Sequence, residues 1–115
     1  AQRARRKFIA QMDEAMSDLD VLITPSVPIQ TPTIAECTPL PGSPDAPGGA
    51  TLTQFTGVFD STGQPSLSLN CGFTKDGMPI GMMISGGAFD EVSVLRAGAA
   101  FERAAGLMKR RPPID

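Results

Sequence analysis

The chain has 115 residues, enough for one domain, with 10 Lys+Arg against 12 Asp+Glu and a formal net charge of −2. It contains no His, no Trp and no Tyr, and two Cys. A Ser-His-Asp or Cys-His nucleophile pair within the chain is therefore excluded, and so are imidazole zinc sites and a four-thiolate site.

Residues 2–18 predict an amphipathic helix. Phe8, Met12, Ala15, Met16 and Leu19 recur at helical spacing, and Asp13, Glu14 and Asp18 fall on the other side. Its cations lie near the N-terminus and its acids near the C-terminus, against the macrodipole, so tertiary packing has to hold it. Val21-Leu22-Ile23-Thr24, closed by Pro25, predicts a short buried strand. Seven prolines then fall between 25 and 47. They oppose helix and remove ladder donors, and they predict a long Pro-rich loop over residues 24–50.

Residues 51–61 predict a short helix that ends at Thr62-Gly63-Gln64-Pro65. Ser66 to Asn70 alternates as a strand, Lys75-Asp76-Gly77 is a tight-turn signal, and Pro79 to Ile84 is the next strand. The two form an antiparallel pair. The last helix starts at Asp90 as N-cap, with Phe89 and Val94 as a hydrophobic staple. Val94, Leu95, Gly98, Phe101 and Ala105 form its apolar face, and Gly106 stands at C′. The sum is an α/β chain of three short strands with flanking helices. Three strands and so long a loop make residues 1–115 a single partial domain, the edge of a larger layered structure.

Charge is concentrated at the ends. Arg3, Arg5, Arg6 and Lys7 lie at one terminus and Lys109, Arg110 and Arg111 at the other. With no basic stripe in between and no aromatic platform, these read as solvated or frayed helix ends, and neither nucleic acid nor membrane is expected as a partner. Cys37 and Cys71 read as two buried free thiols, although one disulfide would satisfy the same count. No signal-peptide stretch and no membrane span are evident, so the expected location is cytoplasmic. The first residue, Ala rather than Met, suggests a processed or excised piece.

Local candidates for chemistry each have a plainer structural reading. Asp90-Glu91 are adjacent on a helix and point apart, so capping is favoured over acid–base work. Gly48-Gly49 and Gly86-Gly87 lack the strand–helix context of a phosphate loop and read as turns. Asp60 reads as a local polar residue. Cys71 without a base reads as a packed thiol, and the six methionines read as core filling.

Several separated segments resemble amidase-signature enzymes. Thr62-Gly63-Gln64-Pro65-Ser66-Leu67-Ser68-Leu69-Asn70-Cys71-Gly72-Phe73 is similar to that family's G-L-P-x-[IL]-S-[VL]-P-x-G-F. Asp76 to Gly81 resembles D-G-[LM]-P-[IV]-G, Phe89-Asp90-Glu91 with Leu95 resembles F-D-E-x-x-[LV]-L, and Asp20 to Pro28 resembles D-[VA]-L-[LI]-x-P-[TS]-x-P. Gln64 stands where Leu is common, Asn70 where Pro is common, and Met83 where Gln is common. The family's G-G-S-[SG]-G segment is missing, and Lys7, Lys75 and Lys109 lie outside its catalytic lysine context. No catalytic residue is carried over.

The resemblance implies the C-terminal part of a mixed-sheet amide hydrolase. In the complete enzyme a Ser–cis-Ser–Lys mechanism cleaves a carbon–nitrogen bond of a small amide, with no cofactor and no metal. The alternative is a non-enzymatic module derived from such an enzyme, self-associating through an exposed sheet edge. The family lines its acyl pocket with the short helix before G-x-P. On this chain that implies Ala50, Thr53 and Gly57 as substrate-binding positions, with Thr24 to Pro28 approaching the same pocket. Their i, i+3, i+7 spacing shares one helical face, and all three are small, which suits either room for an acyl group or close packing. The glutaminyl-tRNA amidotransferase branch carries an acid about where Thr53 stands, so its absence favours a general amidase.

Overall fold

The sheet is built around the strand that returns from the Lys75-Asp76-Gly77 turn. Gly77 donates its N–H to the Thr74 carbonyl at 3.0 Å, and Thr74 donates to the Met78 carbonyl at 2.8 Å. Gly77 has φ +83°, where a side chain would be strained, which is why this turn ends in glycine. The computed structural model describes residues 2–37, 52–107 and 110. Its elements in chain order are α1 (Gln2–Met16), β1 (Val21–Pro25), α2 (Ile34–Cys37), α3 (Thr56–Thr62), β2 (Ser66–Phe73), β3 (Pro79–Gly86) and α4 (Glu91–Ala105). The strand order is β1-β3-β2, with both pairings antiparallel. This is the expected α/β class.

Alternation along the strands separates two faces. Leu67 and Leu69 point toward α4, and the register places Ile84 opposite Leu67 and Ile23 opposite Ile84, so this face is apolar. Ile84 is 1% exposed and Val94 3%, and these centre the core. Gly98 of α4 lies so close to the sheet that a Cβ there would collide with Leu67 Cδ2. Ser66, Ser68 and Met83 occupy the other face, over which α3 lies, and α1 packs on α3. The result is α4, sheet and α3 in layers, with α1 outermost.

Several local expectations are met. Asp90 caps α4 by accepting from the Ser93 N–H at 3.2 Å, and Gly106 ends it in the left-handed region. The Ser93 side-chain and backbone groups hold the Asp90 carboxyl below the ordinary aspartate value. Asn70 accepts from the Gly72 N–H at 3.0 Å where β2 is bulged, so its side chain stabilises the irregular step.

Other expectations need correction. The first helix stops at Met16 rather than residue 18. β1 is an edge strand, with Ile23 57% exposed, because the sheet's centre is β3. The Phe89–Val94 staple does not form. Phe89 has φ +62° and is 93% exposed, since that backbone turns its ring away from the core while Val94 packs alone. Leu95 is also exposed, on the outer side of α4.

The Pro-rich segment contains a helical turn, α2. Thr33 and Glu36 form a capping box: Thr33 N–H and Oγ1 donate to Glu36 Oε2 at 2.7 and 2.8 Å, and Glu36 N–H donates to Thr33 Oγ1 at 3.3 Å. The Thr33 backbone bond, then its hydroxyl, lowers the Glu36 carboxyl. The rest of the predicted loop, from 38 to 50, lies outside the described residues. Residues 52–55 form turns before α3, so that helix starts five residues later than its pattern suggests. Among the described residues no helix is long and apolar enough to cross a membrane.

Candidate functional site

The sheet face opposite α4 carries hydroxyls from all three strands or their continuations. Ser26 Oγ and Ser68 Oγ are 2.7 Å apart, and Ser66 Oγ and Ser85 Oγ are 2.8 Å apart. The first bond fastens the segment after β1 to the middle of β2. The Ser26 N–H also donates to the Gly81 carbonyl at 3.0 Å, which continues the β1–β3 pairing. Thr24 Oγ1, opposite Met83 in the register, is buried and has no hydrogen-bond partner among the described residues. An unpaired buried hydroxyl is costly, so this face is polar and incompletely satisfied.

A cleft of about 300 Å³ lies between this face and α3. Thr56, Phe59 and Asp60 of α3 form one wall, and Ser66, Ser68 and Met83 form the floor. Gln64 closes the end where α3 passes into β2. The cleft is therefore mixed, with two apolar side chains among hydroxyls, an amide and one exposed carboxylate.

The sequence-derived wall positions are placed as follows. Gly57 is in the first turn of α3, and its N–H donates to the Thr53 carbonyl at 2.8 Å, so the two occupy successive turns on one side. Thr53 is exposed in the turn leading into the helix. A Cβ on Gly57 would meet nothing within 4 Å among the described residues, and neither Gly57 nor Thr53 is among the residues that line the cleft. Ala50 lies outside the described residues. Ser26, from the Thr24 to Pro28 stretch, reaches the same sheet face through Ser68, which also floors the cleft.

Two of the terminal cations are used structurally. Arg5 Nε donates to the Ser61 carbonyl at 2.8 Å, and the Arg110 guanidinium stacks 3.9 Å from the Phe73 ring centroid. Cys71 is a free, half-buried thiol whose Sγ donates to the Ile80 carbonyl at 3.4 Å. The Cys37 side chain lies outside the described residues.

Comparison with known proteins decides the family. The family model Amidase matches residues 1–95. The chain belongs to the amidase family. It is similar to an amidase of Pseudomonas putida, 37% identical over 117 residues, covering 99% of this chain and 24% of that protein. It is also similar to a fatty acid amide hydrolase of Medicago truncatula, 33% identical over 112 residues, covering 97% of this chain and 18% of that one. Among solved structures, 6-aminohexanoate cyclic dimer hydrolase superposes with a TM-score of 0.86 at 32% identity, covering 95% of this chain and 24% of that chain. The chain thus spans about a quarter or less of the length of the curated relatives it matches. Within this amidase chain, the segments that carried the resemblance are β1 with its continuation, the α3–β2 junction, the β2–β3 hairpin and the start of α4.

Gln64 is the site feature that sequence reasoning missed. It is 6% exposed and bonded to Asp13, which is 51 residues away, and no local pattern reports such a pair. The α2 turn, in contrast, did have a signal, the T-x-x-E of Thr33 to Glu36.

Proposed function

We propose that this chain is the C-terminal segment of an amide-hydrolysing amidase and is inactive alone. The carrying observation is the amidase match over residues 1–95 in a chain that spans about a quarter of its relatives and has no G-G-S-x-G segment. In the complete enzyme a Ser nucleophile attacks the amide carbonyl, a Lys acts as base through a bridging Ser, and backbone donors hold the oxyanion. Those groups come from polypeptide other than these 115 residues.

The chain's own part is the wall of the acyl pocket, formed by Ala50, Thr53 and Gly57. Open space beside Gly57 supports this, because packing among the described residues does not call for a glycine there. The distribution of apolar groups supports a role within a larger body. Ten large hydrophobic side chains are exposed and five hydrophobic ones are buried among the described residues, and Phe89, Val92 and Leu95 lie together around the start of α4.

The test is reconstitution. The purified 115-residue protein is mixed with, or co-expressed beside, an amidase portion that carries G-G-S-x-G, and hydrolysis of simple amides is followed. Activity only in the combination is expected. Turnover by the 115-residue protein alone, lost on substituting one of its own residues, overturns the reading. Cooperative folding with self-association, and no complementation, would instead favour a non-enzymatic module.

A further inference from the structure

Gln64 is 6% exposed, and an amide so far removed from water needs partners within the protein. Both ends are met. Its Nε2 donates to Asp13 Oδ1 at 3.1 Å, and its Oε1 accepts from Thr62 Oγ1 at 2.6 Å. The three residues belong to three segments: Asp13 to α1, Thr62 to the end of α3, and Gln64 to the link into β2. Where the family pattern carries an apolar Leu, this chain has a polar bridge.

The bridge joins two weakly determined elements. α3 has seven residues and no side-chain N-cap bond, which is too short to be stable by itself. α1 buries one residue, Met16, and packs on α3. Beside the bridge, Arg5 Nε to the Ser61 carbonyl is the other side-chain bond seen between them among the described residues.

We propose that Asp13, acting through Gln64, is a positioning residue that fixes α3 in rotation and so sets how Thr56, Phe59 and Asp60 face the cleft and where Gly57, with Thr53 in the turn before it, stands. Its functional meaning rests on the reading of α3 as a pocket wall; the bridge itself does not. α1 then serves as an outer brace for that wall, although none of its residues lines the cleft.

The test uses ¹⁵N NMR and amide exchange on the 115-residue protein, with Asp13→Ala, Asp13→Asn, Gln64→Leu and the Asp13→Ala/Gln64→Leu double variant. Asp13→Ala should move the Gly57 and Thr53 amide signals and speed exchange in α3 by about tenfold or more, the loss of one charge-assisted bond. Asp13→Asn should restore the signal positions and part of the exchange protection, because its side-chain carbonyl accepts the same bond without the charge. The double variant should be no worse than the poorer single one, as coupled residues behave. Should Gln64→Leu fail to fold, the Asp13 pair, on the exposed side of α1, still decides.

Asp13→Asn behaving like Asp13→Ala overturns the proposal. So does a fall in thermal stability with the Gly57 signal unmoved, which would make the bridge merely structural. Neither readout needs hydrolysis. Failure here therefore leaves the amidase-segment reading standing, and failed reconstitution leaves the bridge standing.

Discussion

α4 and α3 cover opposite faces of one sheet, and each helix contains one glycine. On α4, Gly98 lets the helix backbone reach Leu67 and Leu69, and even a methyl group would collide. On α3, Gly57 has no neighbour within 4 Å of where a Cβ would stand among the described residues. The same residue type thus answers to different demands. The α4 side is closed by close apolar packing around Ile84 and Val94. The α3 side is held by hydroxyl pairs, a buried amide and a cleft. The first has the character of a core, and the second that of a polar face whose hydroxyls are only partly satisfied among the described residues.

The largest expected effect breaks the closed side. Ile84→Ala removes a side chain that is 1% exposed in the buried half of β3, and it should lower stability by about 2–5 kcal/mol, read by denaturant unfolding. Next come two chemically identical substitutions with opposite expected signs. Gly98→Ala introduces a clash worth about 1–3 kcal/mol, partly offset by better helix propensity, so a net loss of about 1–2 kcal/mol is expected in thermal melts. Gly57→Ala has nothing to clash with and should stabilise the chain by about 0.5–1 kcal/mol. If both substitutions shifted the melt in the same direction, the contrast between the faces would fail.

The smallest effect concerns the α4 cap. Asp90 has its carboxyl lowered by Ser93, so the folded state binds its proton less readily than the unfolded state. Its stabilising contribution is full above the ordinary aspartate value of 3.8 and fades as pH falls through the lower folded value. Asp90→Asn should therefore lose a small part of the stability difference between about pH 6 and about pH 3, while melts of the two proteins converge in acid.

What is legible in the sequence is what local chemistry determines. The Asp76-Gly77 turn, the alternation in β2 and the Asp90 and Gly106 ends of α4 each rest on neighbouring residues, and each stands where expected. The family resemblance carried by those segments agrees with the amidase match. β1 is legible as a strand but not as an edge, because edge or centre depends on which strand pairs with which. Phe89 obeys the staple spacing, yet its positive φ, which no spacing reports, sends it outward. The shared face of Thr53 and Gly57 is legible as a spacing, but the Asp13–Gln64 bridge exists only once α1, α3 and β2 have met.

The sheet order also implies an order of events during folding. β2 and β3 are joined by a short turn, and such a hairpin closes in microseconds. β1 must find the far side of β3 across a span of about sixty residues, as the Ile23–Ile84 register requires, and that span includes the Pro-rich segment. Closing so long a span loses chain entropy before any contact is gained. The hairpin and α4 should thus form the nucleus, with β1 docking late, so substitutions in β1 would speed unfolding more than they slow folding.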